Sequence, residues 1–433
     1  MCAQLLSTQP YKGTRDFYPD DMRLRNWFFG KIRASLELAA FEEYNGPMLE
    51  SLEIYIAKSG EEIANEQTYN FTDRGGRRLA VRPEMTPTVA RLVAAKIGEL
   101  NFPLKWFSIP NLYRYERPQR GRLREHWQVN VDIFGCDGFE ADLEVISTAV
   151  MLLKGFDADE TMFKVHINNR RFFNDVIAAI AGTDAEGSRR VSKVVDRKNK
   201  VTREAYEKDM AELGIDGDKI AKIDALYNMS VEEAAELCPE SRGAKELLEL
   251  FSALKSAGLD KYCVFAFGII RGLDYYTGTV FEVFDEAPEN NRAMFGGGRY
   301  DNLVGLFVKN TNITGVGFGF GDVTLENFLV THKLVPDIYK TGTKCLVTRF
   351  DDVPYEKYIE LTDKLRAMGV TSSMYIGTKK FGKQIDYAVK GHYSHVCIMG
   401  ASELERGVVK IKDLESREEA EVAMDSLAAY FTK

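Results

Sequence analysis

The sequence predicts a mixed α and β protein in which a helical block interrupts a sheet-forming domain and a small α/β domain follows. Strand-like alternation occupies residues 103–135 and resumes at residue 263. The intervening residues of about 168–260 lack that alternation and have helical patterning. From about residue 343, strands and helices alternate. At roughly 150 residues per domain, a chain of 433 residues suffices for two or three domains.

Composition places the chain among globular proteins and limits its partners. Hydrophobic residues make up 45% and charged residues 28%, which argues against a disordered, collagenous or disulfide-stapled chain. The 57 basic and 65 acidic residues give a net charge of −8, which disfavours non-specific coating of nucleic acid. The six cysteines form no CxxC pair, so we expect reduced thiols. Without a signal-peptide pattern or a membrane-length apolar run, we expect a cytoplasmic protein with neither membrane nor DNA partners.

The first element predicted is an amphipathic helix over residues 20–41. An Asp pair opens this segment, and apolar residues recur at helical spacing. The stripe comprises Leu24, Trp27, Phe28, Ile32 and Leu36. Strand-like segments follow it, broken by polar turns such as residues 72–76.

Residues 103–135 predict a strand, an arginine-rich loop and a second strand that returns antiparallel. In the second strand one face is apolar, with Trp127, Val129, Val131 and Ile133. The opposite face is polar, with Gln128, Asn130 and Asp132. In the first strand we expect Arg114 and Glu116 to share a face. A strand with one apolar and one polar face suits the wall of a polar pocket.

The loop between these strands, residues 114–124, is termed the arginine loop. It contains five arginines, at positions 114, 117, 120, 122 and 124. A guanidinium presents a planar fork of donors that matches phosphate or carboxylate oxygens. The loop therefore indicates phosphate handling, and a solvated charged hairpin is the alternative.

Three glycine-containing motifs are further candidates. RGLDYYTGTVFE (residues 271–282) and GGGRYD (296–301) combine close backbone approach with aromatic and charged side chains that could grip a small planar polar group. In residues 315–322 glycine recurs at every second position, which would bare one face of a strand for a flat ring. Ordinary glycine turns, tyrosine packing and a crowded strand are the alternatives.

Several familiar chemistries are not supported. His392 and His395 form an HxxH pattern with Cys397 nearby, but no further ligand stands at metal spacing, so we expect no metal cage made by the protein alone. The chain has neither a Ser-His-Asp signature nor a P-loop. These observations disfavour an acyl hydrolase and a P-loop NTPase.

Taken together, the motifs resemble the histidyl-tRNA synthetase family of class II aminoacyl-tRNA synthetases. The resemblance covers nearly the whole chain and includes KGTRDFYP, RPEMT (82–86) and YRYERPQRGRLREHWQ. RGLDYYTGTVFE and GGGRYD resemble the two segments that are peculiar to this family, and Pro47 stands in place of its dimer-forming first motif. The resemblance implies an α+β catalytic domain with an antiparallel sheet (the class II synthetase fold), a helical insertion, a C-terminal α/β anticodon-binding domain and a homodimer.

The resemblance also implies the boundaries and the reaction. We expect a catalytic domain over residues 1–335, including the 168–260 insertion, and an anticodon-binding domain over 341–433. The carboxylate of histidine would attack the α-phosphorus of ATP to give histidyl-adenylate and pyrophosphate. The 3′ end of tRNA(His) would then take the histidyl group. Mg²⁺ would accompany the triphosphate.

Roles for individual residues follow from the same resemblance. Arg114 would hold the α-phosphate and the substrate carboxylate, and Arg271 would be the second catalytic arginine. The ATP site would comprise Arg114, Glu116, Arg122 and Arg271. The histidine site would comprise Glu84, Thr86, Gln128, Asp132, Tyr276 and Tyr300. Arg117 and Gln119 would meet the acceptor end of the tRNA, and the basic segment 189–208 could contact phosphates of its stem.

Three positions depart from the family pattern. Met85 stands where glycine is usual, and Asp132 stands where glutamate is usual. The third class motif normally ends in an arginine that binds the γ-phosphate, but here residues 321–324 are Gly-Asp-Val-Thr. Three explanations are open: another cation covers the γ-phosphate, ATP binding is weaker, or this copy is impaired. We expect the first, because every other catalytic position is filled.

Three other functions remain as alternatives. The first is a non-catalytic regulatory subunit that assists a phosphoribosyltransferase in histidine biosynthesis, which the two histidine motifs and the terminal domain disfavour. The second is a tRNA-sensing module, which only the missing arginine favours. The third is a synthetase of the same class for another amino acid, which RGLDYYTG disfavours.

Overall fold

The computed structural model describes residues 6–57, 67–198, 201–270, 275–290, 292–338 and 344–431. The chain divides into two compact units, residues 1–335 and 336–433. Their hydrophobic clusters are separate, since each cluster draws its buried residues from one unit only. Among the described residues, no helix is long and apolar enough to cross a membrane.

The first unit contains twelve of the described strands. These are β1 (Glu42–Glu43), β2 (Leu49–Ser51), β3 (Tyr69–Thr72), β4 (Arg78–Val81), β5 (Leu104–Ser108), β6 (Asn111–Tyr113), β7 (Glu125–Phe134), β8 (Phe163–Asn169), β9 (Cys263–Phe265), β10 (Thr279–Asp285), β11 (Ala293–Tyr300) and β12 (Gly315–Gly321).

Eleven α-helices are described in the same unit. These are α1 (Pro19–Leu38), α2 (Glu53–Ile56), α3 (Thr86–Ala95), α4 (Phe139–Lys154), α5 (Arg170–Ala181), α6 (Ala185–Asp196), α7 (Arg203–Glu212), α8 (Gly217–Ala225), α9 (Val231–Ala235), α10 (Arg242–Ser256) and α11 (Asp322–Thr331). Single 3₁₀ turns occur at Leu226–Asn228, Asp260–Tyr262, Pro288–Asn290 and Val304–Leu306.

A nine-stranded sheet forms the centre of the first unit. Its order is β1-β5-β7-β12-β11-β10-β8-β9, and β6 pairs with β7 beside this path. All pairs are antiparallel except β1 with β5 and β8 with β9. The predicted antiparallel sheet is thus confirmed. A separate sheet of order β2-β4-β3 lies near the start of the chain.

The apolar face of the central sheet is covered by helices. Val129, Val131 and Ile133 of β7 are buried on this face, as the alternation predicts. Residues of α1 and α4 belong to the same hydrophobic cluster. In α1 the predicted stripe is confirmed, since Phe28, Ile32 and Leu36 are buried. Burial of such a stripe stabilises the helix by about 25 cal/mol per Å² of apolar surface removed from water.

The residues between β8 and β9 are helical, as predicted. Helices α5–α10 fill this segment, and their buried apolar residues extend the main cluster. Several begin at a side chain that accepts from the first-turn amides. Examples are Asn169, Asp184, Thr202, Asp216 and Ser241.

The second unit has the predicted alternation of strands and helices, with one strand more than the sequence indicated. Its strands are β13 (Lys344–Val347), β14 (Thr371–Met374), β15 (His395–Ile398), β16 (Val408–Asp413) and β17 (Glu419–Ala423). Its helices are α12 (Tyr355–Ala367), α13 (Phe381–Lys390), α14 (Ala401–Glu405) and α15 (Leu427–Phe431), with a 3₁₀ turn at Met424–Ser426. The sheet order is β14-β13-β15-β16-β17. The sequence did not indicate β17, because it is a polar edge strand with a single buried residue, Val422.

One local prediction is wrong. The first strand beside the arginine loop was expected to include Arg114 and Glu116, but β6 ends at Tyr113. The Arg114 amide still donates to the Arg124 carbonyl at 2.8 Å. The Tyr115 amide then donates to the Gln67 carbonyl at 2.7 Å, so a segment remote in sequence draws the backbone out of the ladder.

Candidate functional site

The polar face of β7 and the glycine face of β12 are the same face of the sheet. Gly317 pairs with Asp132, and Gly321 pairs with Gln128. On the next strand, Gly296 and Gly298 of β11 pair with Gly319 and Gly317, respectively. Directly paired residues point to the same side of a sheet. The sheet therefore has a glycine floor flanked by polar side chains, which favours a binding surface over a merely crowded strand.

At most positions of this floor, a side chain larger than hydrogen does not fit without movement. A Cβ added at Gly319 would lie 2.2 Å from Nε2 of Gln128, and one added at Gly317 would lie 2.5 Å from Oδ1 of Asp132. A Cβ at Gly298 would lie 2.7 Å from the Thr279 carbonyl oxygen. The glycines thus leave room for Gln128, Asp132 and the backbone of the adjacent strand.

A cavity of about 200 Å³ lies above this floor and is termed the inner cavity. Five of the six predicted histidine-site residues line it: Glu84, Thr86, Gln128, Tyr276 and Tyr300. Tyr275, Asn130 and Glu282 also line it. The structure thus gathers residues from five separate segments around a space of the size of one amino-acid side chain.

The acidic end of the inner cavity is organised around Glu84. Glu84 lies between β4 and α3 and is only 2% exposed. The hydroxyl of Tyr275 donates to Oε2 of Glu84 at 3.0 Å. Met85, the first departure from the family pattern, is fully buried. Its Cε lies 3.1 Å from where a Cβ on Gly46 would stand, and Met85 does not line the cavity.

Asp132 lies behind the lining of the inner cavity. The Tyr300 hydroxyl donates to its Oδ1. Oδ2 of Asp132 is buried without a hydrogen-bond partner among the residues that the structure describes. Burial raises the pKa of Asp132 to about 7, and the hydrogen bond from Tyr300 opposes that rise.

Gln128 orients the floor between these two ends. Its Nε2 donates to Oδ1 of Asn130 at 2.7 Å, and Nδ2 of Asn130 donates to the Gln128 carbonyl at 3.1 Å. Because the side-chain NH₂ group of Gln128 donates to Asn130, this bond also sets the direction of the side-chain oxygen, Oε1 of Gln128.

A second and larger cavity, of about 1190 Å³, adjoins the first and is termed the outer cavity. The two share Gln128, Glu282, Gly296 and Gly319 in their linings, so they meet at these residues. Four arginines line the outer cavity: Arg114, Arg120, Arg122 and Arg292. Four carboxylates line it as well: Glu116, Glu282, Asp285 and Glu289. The cavity therefore favours a polyanion through the planar donor forks of its arginines and not through its net charge.

Two of these arginines are fixed by protein contacts. Nε of Arg114 donates to the Pro83 carbonyl at 2.8 Å. Arg122 pairs with Glu116, with Nε 2.9 Å from Oε2. His126 also lines the outer cavity, and burial lowers its pKa to about 3, with the charge of Arg114 acting in the same direction. His126 is therefore a neutral imidazole at physiological pH.

At the position of the missing third-motif arginine, Thr324 faces inward. Its hydroxyl donates to the Met294 carbonyl at 2.8 Å. Gly121 of the arginine loop packs beside it, since a Cβ added there would lie 3.6 Å from Cγ2 of Thr324. Asp322, on the same first turn of α11, points instead to Arg15, with Oδ2 and Nη2 2.7 Å apart.

Of the remaining predicted residues, one lines the outer cavity, and the others line neither cavity in the described part of the chain. Gln119 lines the outer cavity, but Arg117 is exposed and lies outside its lining. Arg271 falls in residues 271–274, outside the described part of the chain. In the basic segment 189–208, Lys198 pairs with Asp224 at 2.6 Å and Arg203 with Glu207 at 2.6 Å. Acidic neighbours therefore offset part of that segment's charge.

The HxxH pattern does not form a metal site in the described residues. No group of three His, Cys, Asp or Glu side chains there could hold an ion. His395 approaches Asp413 at 3.5 Å, and Sγ of Cys397 lies 3.2 Å from Sγ of Cys345.

Among the residues that line the two cavities, sequence reasoning gave no individual role to Tyr275, His126, Arg120 and Arg292, although it counted Arg120 in the arginine loop. Tyr275 adjoins Tyr276 in the DYYTG motif, and the predicted role of Tyr276 in the histidine site was the signal that could have indicated Tyr275. His126 adjoins the polar stripe of β7. Arg120 belongs to the arginine loop, but Arg292 stands alone in sequence and only the fold brings it to the cavity.

Comparison with known proteins gives a consistent picture. Residues 13–322 match the family profile described as histidyl-tRNA synthetase, and residues 344–433 match the profile described as anticodon binding domain. The chain is 43% identical to the histidine–tRNA ligase of Leptospira biflexa over 96% of this chain and 95% of that protein. It is 34% identical to the histidine–tRNA ligase of Thermoplasma volcanium, with 98% of each covered.

The fold is similar to that of a solved structure. The crystal structure of a histidyl-tRNA synthetase from Nostoc sp. PCC 7120 superimposes with a TM-score of 0.82 and covers 99% of both chains. The two sequences are 23% identical, so this likeness concerns the fold.

Proposed function

Because the chain belongs to the histidyl-tRNA synthetase family, we propose that it activates histidine with ATP and transfers the histidyl group to tRNA(His). The observation that carries this proposal is the junction of the two cavities. The inner cavity has the size and polarity for a histidine side chain, and the outer cavity has the volume and arginines for a nucleoside triphosphate. Their shared residues mark where a carboxylate would meet the α-phosphorus.

In the inner cavity, Glu84 is the natural partner of the substrate ammonium. It is buried beside the cavity and carries the charge that an ammonium requires. Thr86 and the oriented carbonyl of Gln128 would supply further acceptors. Tyr276 and Tyr300 would enclose the imidazole, with Asp132 acting on it through Tyr300. A pocket built from such groups rejects apolar isosteres, since these leave buried polar atoms unpaired.

At the junction, Arg114 would neutralise charge on the α-phosphate and the attacking carboxylate. Its contact with the Pro83 carbonyl orients the guanidinium along the cavity wall. Glu116 and Arg122, paired with each other, would hold further parts of ATP. Arg271 would add a second cation at the α-phosphate. Preplaced donors that meet developing charge lower the barrier by about 3 kcal/mol each.

Mg²⁺ would come with the triphosphate and offset its charge. The described residues contain no group of three ligating side chains, so the phosphate oxygens would supply most of its ligands. Glu282, which lines both cavities, is the carboxylate placed to assist them.

The tRNA would approach from the outer cavity and from the second unit. Gln119 and the exposed Arg117 would meet the acceptor end, and residues 341–433 would bind the anticodon as the matched profile suggests. For a homodimer, support comes from exposed apolar residues beside Pro47, because Met48 and Leu49 are each 45% exposed. We place this activity in the cytoplasm.

The proposal is tested by histidine-dependent exchange of pyrophosphate into ATP. Exchange with histidine, and with no other amino acid of a full panel, would support a selective adenylating site. Absence of exchange with every amino acid in a folded sample would refute it and would favour a tRNA-sensing or regulatory protein.

A further inference from the structure

The outer cavity carries two arginines that form no ion pair with a carboxylate in the part of the chain that the structure describes. Arg120 and Arg292 both line the cavity, and both are exposed. Among the residues that the structure describes, neither guanidinium forms an ion pair. Glu116, by contrast, already offsets the charge of Arg122 at 2.9 Å.

The two arginines are held by a reciprocal pair of hydrogen bonds. Nη2 of Arg120 donates to Oδ1 of Asn290 at 3.0 Å, and Nη2 of Arg292 donates to Oε1 of Gln119 at 3.2 Å. Arg120 thus binds the side-chain amide of Asn290, which lies two positions before Arg292. Arg292 binds the side-chain amide of Gln119, which directly precedes Arg120. We term this arrangement the amide clasp; it joins the arginine loop to residues 288–292.

The amide of Asn290 is itself fixed. Its Nδ2 donates to Oδ2 of Asp285 at 2.7 Å and to Oγ1 of Thr331 at 3.2 Å, which leaves Oδ1 directed at Arg120. Oδ1 of Asp285 is engaged by His332 and by the Ala287 amide, each at 2.8 Å. The Asp285 carboxylate is therefore bonded to other groups, and Glu289, which also lines the cavity, forms no hydrogen bond or ion pair with either arginine among the described residues.

Neutral acceptors have a particular consequence for a guanidinium. An amide oxygen orients the planar fork but leaves its full positive charge, whereas a carboxylate cancels that charge. The clasp therefore positions two guanidinium groups in the lining of the outer cavity, each held by an amide and not by a carboxylate. Such an arrangement stabilises bound negative charge, because the positive charge of the arginines is not offset by an ion pair within the described part of the protein.

The wall of the outer cavity at position 324 carries a neutral residue where the family's third motif has a cation. Thr324 of α11 binds the Met294 carbonyl, and Gly121 packs against its methyl group. The arginine loop thus occupies this wall and carries Arg120 one residue from the contact. On this basis, and on the proposed function, we propose that Arg120 and Arg292 bind the β- and γ-phosphates of ATP in place of a cation from position 324.

The proposal predicts a loss of affinity that depends on the number of phosphates. Arg292→Ala and Arg120→Ala should each weaken ATP binding to the full-length protein by about tenfold or more, since charge-assisted hydrogen bonds are the strong ones. Neither should change the affinity for AMP, which lacks the outer phosphates. Arg292→Lys, which keeps the charge but loses the fork, should fall between the wild type and Arg292→Ala.

Calorimetric titration with ATP and with AMP tests this directly. Arg74→Ala is the matched control, because Arg74 is an exposed arginine in the turn between β3 and β4 and lines neither cavity. Unchanged ATP affinity in Arg292→Ala and Arg120→Ala would overturn the proposal. Equal loss of ATP and AMP affinity would also overturn it, since that would indicate a general disturbance of the site.

Assays of pyrophosphate exchange and tRNA charging distinguish failure of the phosphate-binding proposal from failure of the proposed function. If wild-type protein exchanges pyrophosphate and Arg292→Ala has a raised KM for ATP with little change in kcat, both stand. If the variant exchanges normally but charges tRNA poorly, the guanidinium serves the tRNA and the phosphate assignment is wrong. If wild-type protein shows no exchange, the proposed function fails, while the ATP and AMP titrations still decide the role of the clasp.

Discussion

The hydroxyl of Tyr300 donates to Oδ1 of Asp132, while Oδ2 of Asp132 is buried without a partner among the described residues. Tyr300 lines the inner cavity, and Asp132 lies behind it. Burial raises the pKa of Asp132 to about 7. This carboxyl group therefore changes charge near neutral pH, directly behind the surface that we propose meets the imidazole.

Histidine affinity should depend on the ionisation of Asp132. An ionised Asp132 polarises the Tyr300 hydroxyl, so its oxygen accepts a hydrogen bond from an imidazole N–H more strongly. In exchange assays, the KM for histidine should fall as the pH rises through about 7. Asp132→Asn should raise that KM by about tenfold at pH values above about 7 and should flatten its pH dependence.

The ratio of the two KM values is the informative quantity, because titration of free histidine affects both proteins equally. A ratio that is independent of pH would show that Asp132 does not act through its charge. An unchanged KM in Asp132→Asn at every pH would remove Asp132 from the histidine site.

The same group should make stability depend on pH. An unfolded Asp loses its proton near pH 3.9, but the buried group keeps it until about 7. Between these values the folded state holds the additional proton, so the free energy of unfolding contributed by this group falls as the pH rises. Asp132→Asn should reduce this decline in denaturant titrations of the first unit. A slope equal to that of the wild type would contradict the raised pKa.

The glycine floor makes a steric prediction. Gly319→Ala would place a methyl carbon 2.2 Å from Nε2 of Gln128, which must then leave its hydrogen bond with Asn130. The obstacle is the end of a flexible side chain, so the variant should fold. It should raise the KM for histidine at least about tenfold, because the acceptor that orients the substrate has moved.

Gly30→Ala is the control for this substitution. Gly30 lies in α1, and no heavy atom lies within 4 Å of its added Cβ. The same methyl group should leave exchange unchanged and stabilise the helix by about 0.5–1 kcal/mol. Equal exchange kinetics in the two alanine variants would contradict the importance of the open floor.

The sequence predicted the features that follow from local patterns. The alternation in 125–134 correctly separated the apolar face with Val131 from the polar face with Gln128, because strand periodicity needs no tertiary information. The motifs likewise placed the chain in its family. At residues 315–322 the pattern left two interpretations open, and the pairing of Gly317 with Asp132 shows that these glycines lie on the polar face of the sheet.

What the sequence could not predict depends on segments that meet only after folding. β6 ends early because Gln67 captures the Tyr115 amide from a distant position. The contact of Arg292 with Gln119 joins residues 173 positions apart, and nothing near Arg292 in sequence indicates an anion. Tyr275 was passed over because its role depends on Glu84, 191 positions away.

A buried ion-pair network should be costly to break. The guanidinium carbon of Arg25 lies 3.9 Å from the ring centroids of both Phe17 and Trp127. Asp322, whose side chain is 1% exposed, accepts from Arg15 at 2.7 Å and lies 4.0 Å from Arg25. Asp322→Asn would remove the nearest counter-charge of both cations, although Glu326 remains 3.8 Å from Arg15, and should lower the unfolding free energy by about 3 kcal/mol.

Denaturant unfolding of the first unit measures this loss. Glu43→Gln is the control, since it breaks an ion pair with Arg33 in which both side chains are 41% exposed. Such a surface pair contributes at most about 1 kcal/mol. If the two variants lost the same small amount, the buried network would not be a stabilising element.

The two units should separate functionally as well as structurally. Every hydrophobic cluster with buried residues in 1–335 is confined to that range, so a chain truncated after residue 335 keeps the whole core around both cavities. All described residues that line the two cavities also remain. The truncated protein should therefore retain histidine-dependent exchange while its kcat/KM for charging tRNA falls by at least about tenfold, because the anticodon contacts are lost.

The first assay is the control for the second, since a misfolded fragment would lose both. If the fragment exchanged pyrophosphate and also charged tRNA as well as the full chain, residues 336–433 would have no part in tRNA recognition.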